Sequence, residues 1–189
     1  MDRIKMREQL ERKLTKKRYE HSMGVSYTAA AMAMVYGLDT EKAAVAGLLH
    51  DCAKCYSSEE KLKRCKKHNL PISSYEQKNP ELLHAKLSAY YAREKYGVED
   101  EEILSAITWH TTGKADMSTL DKIIYIADFI EPNRKMLPEM EEIRKEAFLD
   151  LDRCLIHILT NMIRYLSRKD AGSIDPLTLE TYEYYVKGK

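Results

Sequence analysis

The chain has 189 residues, 44% of them hydrophobic and 32% charged. At roughly 150 residues per domain this excludes a disordered chain and predicts one domain with a real core. Thirty-one Lys and Arg against thirty Asp and Glu leave +1, so no global basic field draws the chain to nucleic acid or to acidic lipid, although a local basic pocket stays open.

Seven Gly and five Pro are about half the usual share, and two Phe with one Trp argue against a sheet. The chain reads as consecutive helices. Residues 2–14 form a charged amphipathic helix without the apolar region of a signal peptide. Thr15 caps a second helix to Tyr36, stopped by Gly37. Its AAAMAM half is apolar on every side and should be central. Asp39 or Thr40 caps a third helix through AAVAGLLHD. Ser57-Ser58-Glu59-Glu60 is a capping signal for a Lys-rich helix ending near Pro71, with a loop after it. Asn79-Pro80 opens a helix that ends at Gly97. Short helices follow over 100–110 and 118–130, the second closed by Pro132. Leu151, Leu155, Ile158, Met162 and Leu166 mark a helix over 149–168, and a short one starts near Pro176. Period-two alternation is absent, so the fold class is all-α. The weakly polar stretch from Thr28 to Leu38 falls far short of the ~20 residues a spanning helix needs. A cytoplasmic protein with reduced cysteines is expected, with no membrane and no nucleic acid among its partners.

Polar residues on apolar stripes are informative, because burying an unpartnered polar group costs on the order of 2–7 kcal/mol. His21 shares a stripe with Val25, Thr28, Ala29 and Met32. His50 and Asp51 end the most hydrophobic helix, and His110 ends the Ile103/Ile107 stripe. His84 shares a face with Leu87 and Tyr91, while Asp128 sits inside IIYIADFI. A lone histidine on such a face is more often a hydrogen-bonded core residue. Six inward imidazoles and carboxylates together are better explained by a metal centre. Mixed His and Asp ligands suit divalent Fe, Mn, Co, Ni or Zn. His68, in KRCKKHN, reads as part of a solvated basic face, and His157 as lying off its helix's apolar stripe beside Asn161 and Arg164.

The order His21, His50-Asp51, Asp128 resembles the HD superfamily of metal-dependent phosphohydrolases. The segments RYEHSMGV (18–25), GLLHDCAK (47–54), WHTTG (109–113) and IADFIEPNR (126–134), with the His84 helix, resemble its YqeK-type family of symmetrical dinucleoside tetraphosphatases. The resemblance covers about residues 15–135 and implies an HD-domain helical bundle. Low Gly and Pro with helical stripes throughout add the expectation of a single domain, with an N-terminal helix over 1–14 and C-terminal helices over 136–189 packed on the 15–135 core. The resemblance also implies hydrolysis of diadenosine tetraphosphate to two ADP by a metal-activated water. His21, His50, Asp51 and Asp128 would hold the main ion, iron first among the candidates. Asp51 would also serve catalysis by bridging to a second ion. His84 and His110 would complete that second site or act as general acids on the phosphate. Arg18, Lys54, His84, His110, Thr111 and Arg134 would contact the nucleotide substrate and the ADP product. One ion or two, and a homodimer, stay open.

Two other readings remain. Cys52-x-x-Cys55 followed by Cys65-x-x-His68 superficially matches zinc spacing, but Gly-rich knuckle turns are missing and no βαβ pattern supports a redox role for CAKC. The same fold could also serve a cyclic nucleotide, a deoxynucleotide or a guanosine alarmone, or act as a nucleotide sensor without catalysis.

Overall fold

Most helix starts in this chain coincide with side chains that satisfy the unpaired amides of the first turn. The computed structural model describes residues 2–169 and 174–188. Asp2 caps α1 (Arg3–Lys13), Thr15 caps α2 (Lys16–Tyr36) and Asp39 caps α3 (Thr40–Leu49). Ser57 and Glu60 form a capping box on α4 (Ser58–Lys67). Gly37 and Gly97 end α2 and α6 in the left-handed conformation that a side chain would strain.

The segment after α4, expected as a loop, contains α5 (Ser74–Lys78), set by a second capping box between Ser73 and Glu76. Pro80 does not open the next helix directly. It starts a 3₁₀ turn (Pro80–Leu82) that runs into α6 (Leu83–Tyr96), and Asn79 donates to Tyr75 O instead of capping. Then follow α7 (Glu101–Trp109), capped by Asp100, and α8 (Thr119–Ile130), capped by Ser118. Another helix without a forecast, α9 (Met140–Glu146), buries Met140 and Ile143. The chain continues through α10 (Leu151–Lys169) and α11 (Pro176–Lys187), with no strand among the described residues.

Helix α2 packs along α3 and α8, while α7 packs against α6, α8 and α3. The α2/α3 crossing is close because Gly47 has no side chain: a Cβ there would lie 2.9 Å from Ser26 Cα. Ser26 Oγ donates to Ala44 O at 2.7 Å across the same contact. One contiguous buried cluster runs from Met6 and Leu10 on α1 to Leu155 and Leu159 on α10. Each fully buried aliphatic in it contributes about 1.5–3 kcal/mol. The α10 stripe turns outward past Leu159, where Met162 and Leu166 are only half-buried. Helix α11 supports the segment after α7: Tyr185 OH accepts from Met117 N at 2.8 Å, and Thr181 Oγ1 donates to Thr112 O at 3.2 Å.

Two histidines expected to be bland are engaged. His68 is half-buried and stacks on Tyr90, ring centroids 4.3 Å apart. His157 bridges Glu139 and Glu146, at 2.9 and 2.8 Å. Neither belongs to the ligand groups described next.

Candidate metal centre and its surroundings

Five helices deliver six side chains to one place. His21 comes from the second turn of α2, His50 and Asp51 from the end of α3, and His84 from the first turn of α6. His110 ends α7 and Asp128 lies near the end of α8. All but Asp128 are buried, and Asp128 is half-buried.

The four imidazoles are oriented alike. His50 Nδ1 faces Gly47 O and His110 Nδ1 faces Ile107 O, both at 2.7 Å, and His84 Nδ1 faces Glu81 O. In each case the partner is the carbonyl three residues earlier. His21 Nδ1 faces Glu131 Oε1 at 2.9 Å. Carbonyls and carboxylates only accept, so each Nδ1 carries a proton, and in the Nδ1–H tautomer each ring turns a bare Nε2 lone pair inward. Burial, opposed by the neighbouring Asp51 carboxylate, pulls His84 down to about 4, which keeps it neutral.

The inward atoms meet the two carboxylates. Asp128 Oδ1 lies 2.9 Å from His21 Nε2 and 3.6 Å from His50 Nε2. Asp51 Oδ2 lies 3.6 Å from His50 Nε2 and 3.9 Å from His21 Nε2. The other Asp51 oxygen, Oδ1, lies 3.2 Å from His84 Nε2 and 3.7 Å from His110 Nε2, and those two nitrogens are 3.1 Å apart. Burial alone would push the Asp51 carboxyl up, but the surrounding imidazoles of His50, His110 and His84 outweigh it and hold it well below the usual carboxylate range. Asp128 is likewise held low, burial being outweighed by His21, His50 and Arg134.

His21 Nε2, His50 Nε2 and Asp51 Oδ1 are buried acceptors without a hydrogen-bond partner. Converging lone pairs of this kind repel unless a cation lies among them, and the imidazole second bonds are those of metal-ligating histidines. The donors form three overlapping groups: His21, His50 and Asp51; His50, His110 and Asp128; Asp51, His84 and His110. The residues therefore fit a divalent transition ion, and Asp51 presents one oxygen to each side of the cluster.

No cysteine belongs to these groups. Cys52 and Cys65 are buried and Cys55 is exposed. Burial pushes the Cys52 thiol up to about 12, far from the thiolate that zinc requires.

Basic groups surround the cluster. Arg18 Nη1 lies 2.6 Å from Asp51 Oδ2, and Arg134 pairs with Asp128 while its Nε donates to Asp128 O at 2.7 Å. Lys54 Nζ stands 3.2 Å from both nitrogens of His84, its ammonium pulled down by burial against the opposing charge of Asp51. Thr111 Oγ1 is 3.2 Å from His110 Nε2 and 3.4 Å from His84 Nε2. The cluster borders a cavity of about 800 Å³ lined by Lys17, Arg18, His21, Phe129, Asn133, Arg134 and Lys135. Every candidate residue from the sequence is thus at or beside the cluster. Sequence reasoning missed Glu131, whose signal was a carboxylate between Ile130 and Pro132 at a buried helix end, and missed Lys17, Asn133 and Lys135.

An all-α core that gathers histidines and aspartates from separate helices beside basic side chains is the architecture of a metal-dependent phosphohydrolase. The HD domain family matches residues 18–133, and the chain belongs to it. It is 44% identical to the symmetrical bis(5'-nucleosyl)-tetraphosphatase of Halalkalibacterium halodurans over 96% of both chains. It is 40% identical to the protein of the same name from Bacillus subtilis over 95% of both. A crystal structure of a predicted HD superfamily hydrolase involved in NAD metabolism from Clostridium acetobutylicum aligns with a TM-score of 0.95 at 39% identity. That alignment covers 100% of this chain and 99% of the other.

Proposed function

We propose that this chain is a hydrolase that splits diadenosine tetraphosphate and related dinucleoside tetraphosphates symmetrically, water and one substrate giving two nucleoside diphosphates. The observation that carries the reading is the convergence of four Nε2 lone pairs and two ionised carboxylates beside Arg18, Lys54 and Arg134. The relatives named above support the choice of substrate.

His21, His50, Asp51 and Asp128 hold a divalent transition ion, for which iron is our first assignment. When bound, such an ion activates water at neutral pH and offsets charge on the phosphates. The remaining work falls to the chain. Arg18, Arg134 and Lys54 bind phosphate oxygens and withdraw charge as the phosphoanhydride bond breaks. The adjoining cavity takes a nucleoside end of the substrate, with Phe129 in its wall. His84 and His110 face the far oxygen of Asp51 and lie within reach of the Thr111 hydroxyl. They bind a second ion through their bare Nε2 atoms or, once the substrate's phosphates draw a proton onto Nε2, donate it to a phosphate oxygen of the leaving diphosphate. Four free thiols fit a reducing, cytoplasmic compartment.

The test is a product assay of the metal-loaded protein over a nucleotide panel. ADP alone from diadenosine tetraphosphate is the expected result. AMP plus ATP would overturn symmetrical cleavage. Turnover of a cyclic nucleotide, a deoxynucleotide or a guanosine polyphosphate, with the dinucleotide left intact, would overturn the substrate. Nucleotide binding with no turnover would make the chain a sensor.

A further inference from the structure

We infer that Glu131 is a positioning residue for the metal centre: its buried carboxylate fixes the tautomer and aim of His21, and Gly24 is the position that admits it. The inference rests on the metal-centre reading above and goes beyond it.

Glu131 follows the last residue of α8 and is 1% exposed. A carboxylate so deeply buried requires partners. Both of its oxygens are engaged: Oε1 faces His21 Nδ1 at 2.9 Å, and Oε2 accepts from Asn133 N at 2.7 Å. The backbone beneath it is held as well. Arg144 Nε donates to Ile130 O at 3.0 Å and Arg144 Nη2 to Glu131 O at 3.1 Å.

Gly24 supplies an independent observation. It lies inside α2, where glycine costs about 1 kcal/mol relative to alanine, and its place there needs a reason. A Cβ at Gly24 would stand 2.4 Å from Glu131 Oε2 and 3.1 Å from its Cδ. His21 and Gly24 are three residues apart and share one face of α2. The helix therefore offers the imidazole and the gap for its carboxylate side by side.

The other three imidazoles of the centre give Nδ1–H to neutral carbonyls, of Gly47, Glu81 and Ile107. His21 alone among the four has an anionic partner. That partner locks the proton on Nδ1, leaves Nε2 bare beside Asp128 Oδ1 at 2.9 Å and makes the ring a stronger donor. Glutamine is not equivalent. Its amide accepts at one atom and donates at the other, so it satisfies His21 or the Asn133 amide but not both.

The test uses the full chain, stripped of metal and titrated with cobalt(II) against a competing chelator, following the visible band of the bound ion. E131Q and G24A should each weaken cobalt binding about 10–100-fold while the metal-free circular dichroism stays unchanged. In a His21→Ala background, adding E131Q should bring no further loss, because the carboxylate acts through that ring. Binding within twofold of wild type in both single variants would overturn the inference. An equal loss from E131Q with and without His21 would also overturn it, by showing a general structural role. If E131Q does not fold, G24A carries the same expectation, since alanine favours the helix. A wild-type chain that binds no cobalt would instead bring down the metal-centre reading itself.

Discussion

Replacing Asp128 with Asn separates the metal role of this carboxylate from any contribution to the fold. The substitution keeps the shape and removes the charge that Oδ1 presents to His21 Nε2 at 2.9 Å and His50 Nε2 at 3.6 Å. Merely orienting partners of metal ligands are worth about 10–100-fold in affinity, so loss of a direct ligand should reach at least the upper end. A hundredfold loss removes about 2.7 kcal/mol of ion-linked stabilisation at fixed ion concentration. For a chain of this length each kcal/mol moves the melting temperature by about 2–4 °C, which makes the expected drop about 5–11 °C in the loaded protein. The metal-free protein should hardly change. The other partner of Asp128 is Arg134, whose side chain is 40% exposed, so its freed charge is solvated and the lost pair is worth under about 1 kcal/mol. Thermal melts of both proteins, with added metal and with chelator, decide the matter. An Asp128→Asn protein with the full wild-type rise on metal addition would refute the assignment.

Three further outcomes are expected. His50→Ala should nearly abolish turnover. If His84 and His110 donate protons, their alanine variants should lose about 10²–10⁴-fold while keeping the metal content of wild type. If they hold a second ion, elemental analysis should show one ion fewer and turnover should fall as far as in His50→Ala. A full metal content with unchanged turnover would contradict both. His157 is opposed by burial, but hydrogen bonds to Glu139 and Glu146 outweigh it and raise its pKa above the usual 6.5. The stability this pair contributes is therefore fully present below about 6.5 and lost as pH rises through the raised value. His157→Gln should flatten that part of the melting temperature against pH, and superimposable profiles would disprove it. Gly47→Ala should destabilise the protein by about 1–3 kcal/mol in urea titrations despite better helix propensity, because Ser26 Cα lies 2.9 Å from the new methyl; an unchanged midpoint would argue that α2 and α3 separate easily.

The helical class, most helix boundaries and the set of histidines and aspartates that come together were legible in the linear chain. Caps and stops are local: Thr15, Asp39, Ser57, Asp100 and Ser118 each bond an amide two or three residues on. Histidines and aspartates on apolar stripes stand out for a similarly simple reason, since burial without a partner is costly. Helices α5 and α9 were not legible. Their five and seven residues are too short for a periodic signal, and the burial of Met140 and Ile143 beneath α9 comes from neighbours far along the chain. Tertiary structure alone decided which oxygen of Asp51 faces which histidines, because that depends on how α3, α6 and α7 converge. It alone joined Glu131 to His21, 110 residues apart, and turned Gly24 from an unexplained weak point in a helix into the space that their hydrogen bond requires.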